Sequence, residues 1–219
     1  MKDIKLFAFD LDGTLLDTAP DFLYAVNTLR ERYSLEEACY SQVRARVSQG
    51  AASLATYALN LEGESEQKIE FHRQELLSIY ETCCLENTEL FEGVEDVLNE
   101  LNIKKVKWGI ITNKPRKFAE GIVRDKLAKF KTPFLICPDD VGQRKPEPDG
   151  LVHSLKISNS NPSNSIYIGD HKIDITAGKR ANMITGAAAY GYIPIGDDVE
   201  SWNSDYIFSE ANEIITLIK

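Results

Sequence analysis

The stretch Phe9 to Asp17, FDLDGTLLD, closes an apolar run, Leu6-Phe7-Ala8-Phe9, in which no polar residue alternates with the hydrophobic ones. A strand of that kind is covered on both faces, as in the parallel sheet of an α/β fold. Asp10 then stands at its carboxyl end, where open α/β sheets hold their ligands. Gly13 gives the backbone freedom for a turn that points Asp12 the same way as Asp10, and Thr14 adds a hydroxyl and an amide. Two carboxylates held this close repel, so one is protonated or a cation sits between them. Asp10 is therefore a candidate nucleophile or metal ligand and Asp12 a candidate acid/base, the structural alternative being an acidic turn that caps a helix.

From Asp17 to about Asn87 the pattern turns helical. VNTLRERY, EEACYSQVRARV, AASLATYALNL and EQKIEFHRQELLSIYETCC carry apolar residues three and four apart, with no strand between them. The expected organisation is an α/β core of residues 1–16 and 88–219 with a helical cap, 17–87, inserted after the first strand and close enough to cover Asp10. Inside the cap, the small and polar run from Val47 to Ser53 follows Arg44 and Arg46 and contains Gly50. It is a candidate substrate-facing turn. A plain helix junction, with Ser48 as N-cap and the arginines in water, is the alternative.

Beyond Phe91 helix and strand alternate, which implies right-handed crossovers and a parallel, doubly wound Rossmann-like sheet. VKWGIIT is a buried strand that delivers Thr112 and Asn113 to the same sheet edge as Asp10. The pattern places a helix from Arg116 through Lys129, a short strand at PFLICP, and then Lys145 between Arg144 and Pro146 on a stretch stiffened by two prolines. A lysine on such a platform can be aimed, although an isolated lysine is usually solvated. The strand from Ser165 to Ile168 ends in Gly169-Asp170, with Asp174 one helical turn on. MITGAAAYGYI and DYIF are expected to give the last strands, and EANEIITLIK a closing helix.

A net charge of -9 argues against a general nucleic-acid binder. Cys39, Cys83, Cys84 and Cys137 lack metal or disulfide spacing, and His72, His153 and His171 lack metal-ligand spacing. With no apolar segment of signal or membrane-spanning length, the expectation is a soluble, cytoplasmic protein with no membrane partner, a monomer or weak homodimer. Acids, a hydroxyl and a cation on one sheet edge, free of sulfur and imidazole, suit Mg²⁺ and a small-molecule phosphate ester.

In order and spacing these motifs resemble the haloacid dehalogenase superfamily of phosphatases along the whole chain. The resemblance implies an aspartyl-phosphate mechanism: Asp10 as nucleophile, Asp12 as general acid and then base, and Thr112 and Lys145 holding the phosphoryl oxygens. It also implies Mg²⁺ bound by Asp10, the Asp12 main-chain oxygen, Asp170 and, directly or through water, Asp174. Within the superfamily, VSQGAASL, WGIITNKPRKFAE, KPEPDG and AYGYIPIGDD are similar to the branch that contains phosphoglycolate phosphatase and N-acetylmuramic acid 6-phosphate phosphatase. Substrates of that branch join a phosphate to a carboxylate, so Arg44, at a matching arginine of the cap, is the expected carboxylate ligand. Asn113 and Gly50 complete the expected substrate contacts. His171 departs from the acidic or small residue usual after Gly-Asp. A β-phosphoglucomutase-like sugar phosphomutase would use the same core residues, and a non-catalytic phosphometabolite-binding protein is the alternative outside enzymes.

Overall fold

The computed structural model describes residues 3–132 and 134–219. Met1, Lys2 and Pro133 lie outside the described residues, and with Pro133 the first position of the expected strand PFLICP. The four residues of β1 (Leu6–Phe9) are buried throughout, as befits a strand with a parallel neighbour on each side and helices over both faces. β2 (Leu16–Asp17) follows at once. Four helices come next, α1 (Ala19–Arg32), α2 (Tyr40–Arg44), α3 (Ala51–Leu59) and α4 (Glu66–Tyr80), and then β3 (Glu89–Leu90). From there helix and strand alternate: α5 (Val94–Ile103), β4 (Lys107–Ile111), α6 (Arg116–Lys126), β5 (Leu135–Ile136), α7 (Asp149–Ser158), β6 (Ser165–Gly169), α8 (Lys172–Arg180), β7 (Ile184–Ala188) and β8 (Tyr206–Phe208).

The main sheet runs β5-β4-β1-β6-β7-β8 and is parallel throughout. Strand order reverses at β1, the kind of switch point at which such sheets open a crevice for ligand. Phe9 pairs with Ile110 of β4 and with Ile168 of β6. That register brings the residues just beyond, Asp10, Thr112 and Asp170, to one edge.

Alternate side chains of the strands fill two cores. Phe7, Phe9, Ile110 and Ile168 pack with Leu98 and Leu101 of α5 and Ile122 of α6. Ala8, Ile111 and Tyr167 face the other way, onto Leu151 of α7 and Ala177 of α8. The expected doubly wound α/β fold with a helical cap is thus observed. The cap has its own apolar centre, Phe22, Val26, Leu54, Leu76 and Tyr80, and this cluster takes in Phe118 and Tyr192 of the sheet domain. Among the described residues no helix is long and apolar enough to cross a membrane.

Several local expectations are corrected. β2 and β3 pair antiparallel, Leu16 with Leu90 and Asp17 with Glu89, so the chain leaves for the cap and returns through adjacent strands. Strands of two residues are too short to show the period-two pattern that marks a strand in sequence. The helix expected over EEACYSQVRARV is only α2 followed by a 3-10 turn at Val47–Gln49, and α6 stops at Lys126 before another at Ala128–Phe130. The closing segment is a 3-10 helix, Ala211–Leu217, whose buried residues Ala211, Ile214 and Leu217 recur every third position. That is the period of a 3-10 helix, and it keeps all three against the core.

Asp21 on α1 is fully buried. Its Oδ1 accepts from the Asn87 main-chain N at 2.8 Å and Asn87 Nδ2 at 3.1 Å, and its Oδ2 from Thr88 Oγ1 at 2.7 Å. One carboxylate therefore stitches the first cap helix to the segment that returns to the core. Asp21→Ala removes three hydrogen bonds between the cap and the returning segment and should lower the free energy of unfolding by about 3 kcal/mol in urea titrations.

Candidate active site

Asp10 follows β1, Thr112 and Asn113 follow β4, Asp170 follows β6, and Asp174 lies in the first turn of α8. Lys145 arrives from the loop between β5 and α7. Asp10, Thr112, Lys145, Asp170 and Asp174 are all at most 7 % exposed. Asn113 holds the main chain of Lys145 from both sides, its Oδ1 accepting from Lys145 N at 3.0 Å and its Nδ2 donating to Lys145 O at 3.0 Å. The ammonium so placed is 2.9 Å from Asp10 Oδ1 and 2.7 Å from Asp174 Oδ1, and it donates to the Tyr167 hydroxyl at 2.7 Å. That hydroxyl in turn donates to Ile111 O at 2.8 Å. Lys145 is therefore not a solvated surface lysine.

Asp10, Asp170 and Asp174 each offer an oxygen within 4.8 Å of the others. Burial drives the pKa of Asp10 well above the usual carboxylate range, with the Lys145 charge pulling the other way. Burial raises Asp170 too, reinforced by the charges of Asp10 and Asp174. Burial by itself would lower Lys145, but the carboxylates of Asp10 and Asp174 outweigh it and hold the ammonium above its ordinary value. Two like charges about 4 Å apart repel by roughly 4 kcal/mol at an effective dielectric near 20. A single ammonium does not neutralise three such carboxylates. Asp10 Oδ1, although close to Lys145, makes no hydrogen bond of acceptable geometry. An oxygen-only cluster with an orphaned acceptor fits a small, hard divalent ion.

Asp12 faces the same space from the turn after β1. Its Oδ1 accepts from Thr18 Oγ1 at 2.7 Å and from Lys114 Nζ at 2.9 Å. Gly13 has φ +82°, and a Cβ there would lie 2.1 Å from Asp170 Oδ2. The turn needs glycine for its conformation and for the close approach of Asp170. Thr14 Oγ1 donates to Asp170 Oδ1 at 3.2 Å, and the Tyr192 main-chain N to Asp170 Oδ2 at 3.0 Å. The same Oδ2 accepts at 2.8 Å from Ser48 Oγ, which reaches over from the cap. Ser48 is thus no helix cap; Gly50, with φ +93°, caps α3. Ser48 and Gly50 line a cavity of about 680 Å³ together with Asp10, Asp12, Thr112 and Lys145.

Arg44 is placed apart from this group. Its guanidinium donates to Tyr190 O at 3.0 Å and lies over the Tyr192 ring, 5.0 Å from its centroid, and the cations along the cavity wall are Arg73, Lys114, Arg144 and Lys145. Arg46 is likewise not free in water, since it donates to Gln42 O at 2.8 Å and covers Tyr57. His171, the departure from the usual pattern, is the N-cap of α8. Its Nδ1 accepts from Ile173 N at 3.3 Å and its own N–H donates to Asp174 Oδ2 at 3.0 Å. Sequence reasoning missed Lys114, Thr18, Tyr80, Tyr167 and Tyr192. Lys114, next to Asn113 on a strand tip, carried a positional signal; the tyrosines carried none.

The haloacid dehalogenase-like hydrolase family matches residues 7–188. The chain is 33% identical over 98% of its length to the N-acetylmuramic acid 6-phosphate phosphatase of Pseudomonas putida, covering 96% of that protein. To the phosphoglycolate phosphatase of Xanthomonas campestris pv. campestris it is 34% identical, over 98% of this chain and 96% of the other. A crystal structure described as a predicted phosphoglycolate phosphatase from Haemophilus somnus superposes with a TM-score of 0.87 at 21% identity, covering 100% of both chains, and so shares the fold.

The acid cluster has a measurable consequence for stability. A carboxyl whose pKa is raised by folding binds its proton more tightly in the folded state, so it favours folding at low pH and loses that contribution as pH rises through the window. For Asp10 and Asp170 the window runs from the ordinary carboxylate range to their raised values, and Lys145 stays charged throughout. The metal-free protein should therefore lose melting temperature between pH 4 and neutrality. Added Mg²⁺ should restore it, more at pH 8 than at pH 5, by about 2.7 kcal/mol at a hundredfold excess over Kd. Calorimetry with and without EDTA measures both effects.

Proposed function

The chain belongs to the haloacid dehalogenase-like hydrolase family, and from that premise we propose that it hydrolyses the phosphate ester of a sugar-derived carboxylic acid through an aspartyl-phosphate intermediate. The observation that carries the proposal is the buried cluster of Asp10, Asp170 and Asp174 around the Lys145 ammonium at the strand tips. When bound, Mg²⁺ supplies the positive charge that draws a phosphoryl group up to Asp10; Asp10, Asp170 and the Asp12 main-chain oxygen would hold it, and Asp174, engaged by Lys145 and the His171 amide, would do so through water.

An Asp10 carboxylate oxygen attacks phosphorus, and the ester oxygen leaves with a proton from Asp12. Asp12, now ionised, takes a proton from water as that water attacks the aspartyl phosphate, releasing phosphate and restoring Asp10. Thr112 accepts from the Lys114 main-chain N at 3.1 Å, so its own hydroxyl proton is available to a phosphoryl oxygen. Lys145 holds another. Asn113, expected to contact substrate, lines the cavity and also positions Lys145. The cap of residues 17–87 and the core of 1–16 and 88–219 are the two parts between which the ester is enclosed.

The roomy cavity and the likeness to N-acetylmuramic acid 6-phosphate phosphatases both favour a sugar acid phosphate. A two-carbon acid such as 2-phosphoglycolate would leave most of about 680 Å³ to water. The substrate carboxylate is assigned to Arg144, at the cavity wall beside Lys145, in place of Arg44.

In a panel of phosphate esters assayed for released phosphate, N-acetylmuramic acid 6-phosphate should outrank 2-phosphoglycolate in kcat/KM; the reverse order rejects the substrate assignment. Asp10→Asn should lose activity by more than about 10⁴-fold while remaining folded, and acid quenching during turnover should trap phosphate on Asp10. Arg144→Ala should raise KM for the sugar acid phosphate about tenfold more than for p-nitrophenyl phosphate, as loss of a charged hydrogen bond requires. Arg44→Ala should change both alike.

A further inference from the structure

Lys114 has no task in the chemistry above, yet it is only 7 % exposed. Its ammonium donates to Asp12 Oδ1 and to the Tyr80 hydroxyl, both at 2.9 Å. Asp12 belongs to the core; Tyr80 is the last residue of α4 in the cap. The same nitrogen lies 4.9 Å from the centroid of the Phe22 ring, on α1, and 4.7 Å from that of Tyr80. Those two rings stack with centroids 4.0 Å apart and planes 4° from parallel. A core lysine is therefore lodged against an aromatic pair supplied by two cap helices. Removing an ammonium from water is unfavourable unless it is paired, and here the partners are one carboxylate of the core and the Tyr80 hydroxyl of the cap, at the rim of the stacked rings.

Thr18, where the chain enters the cap, shares the acceptor that Lys114 uses, Asp12 Oδ1. Two donors on one oxygen fix the rotation of the carboxyl group and leave Oδ2 as the oxygen that carries the proton. We propose that Lys114 is a positioning residue that couples the seating of the cap to proton delivery: the seated cap holds the ammonium, and the ammonium holds Asp12 with its second oxygen toward the leaving group. With the cap lifted, the ammonium would exchange the Tyr80 hydroxyl and its aromatic surroundings for water, and Asp12 would keep only Thr18. The proton would then be well aimed only while the substrate is enclosed. The inference rests on the hydrolase reading, with Asp12 as the acid.

The test uses leaving groups. In a mechanism through an aspartyl phosphate, kcat/KM reports the steps up to departure of the alcohol, so it isolates protonation from the later attack of water. An alkyl phosphate, taken as the best alkyl ester of the panel above, needs the proton. p-Nitrophenyl phosphate, whose phenolate leaves unaided, does not. Lys114→Met, which keeps most of the stem, should lower kcat/KM for the alkyl ester about 10- to 100-fold more than for p-nitrophenyl phosphate, a part of the 10²–10⁴ that general acid catalysis supplies. Tyr80→Phe removes one hydroxyl and keeps the stack, so it remains informative if Lys114→Met fails to fold. It should shift the same ratio in the same direction by about fivefold, the worth of one hydrogen bond. A wild-type ratio in either folded variant overturns the inference and leaves the hydrolase reading standing. A wild-type protein inert to both esters overturns the hydrolase reading, and the inference falls with it.

Discussion

Buried like charge is the condition around which the molecule is built. Three carboxylates meet one ammonium with little access to water, and the sheet brings Asp10 and Asp170 together because the register of β1 with β6 leaves their strand tips level. Left alone, such a cluster is unfavourable, and its acids respond by holding on to protons. The surrounding structure fixes each group against that repulsion: Asn113 clamps the Lys145 backbone, Tyr167 anchors the ammonium, and the His171 amide anchors Asp174. A cation relieves local instability of this sort directly, whereas an anionic ester would add to it until the cation is in place.

The cap is more than a cover. It enters the electrostatics at three points, Thr18 on Asp12, Ser48 on Asp170 and Tyr80 on Lys114, while Tyr192 works from the core side. The Tyr192 hydroxyl accepts from Thr18 N at 2.6 Å and Ala19 N at 2.9 Å and donates to Asp17 Oδ1 at 2.7 Å, and its main-chain N reaches Asp170. One residue late in the chain thus secures both the start of α1 and an acid of the cluster. Phe118 and Tyr192 also belong to the apolar centre of the cap, so its seating and the order of the acids share the same contacts.

Much of this could be read from the chain. Asp10, Thr112 and Asp170 each end an apolar run, and a parallel sheet leaves such residues one place to go; the rigid flanks of Lys145 showed only that it could be aimed, and the family resemblance said where. The cap was legible as a long helical interval without strands. What was not legible depends on surfaces that meet only in three dimensions. Lys114 stands beside Asn113 at a strand tip, but its partners Phe22 and Tyr80 close on it from far along the chain. Arg44 matched a motif, but its direction is decided by Tyr190 and Tyr192, which no local pattern announces. Ser48 resembled a helix cap because serine is among the favoured N-cap residues, and the positive φ of Gly50, open to glycine, moves that task along by two residues. The 3-10 helix at the end differs from an α-helix by a spacing of three instead of three and four, a small signal over so short a segment.

The hydrogen bonds on Asp170 also bear on which ion the cluster prefers. A carboxylate has about four lone-pair sites. Ser48 Oγ and Tyr192 N occupy Oδ2, and Thr14 Oγ1 takes a site on Oδ1. One remains. Asp170 could therefore offer an ion a single lone pair, monodentate ligation that would suit the octahedral, water-retaining habit of Mg²⁺ and would handicap Ca²⁺, whose larger shell is commonly completed by a chelating carboxylate. Discrimination between the two ions would then be set by the hydrogen-bond donors around Asp170.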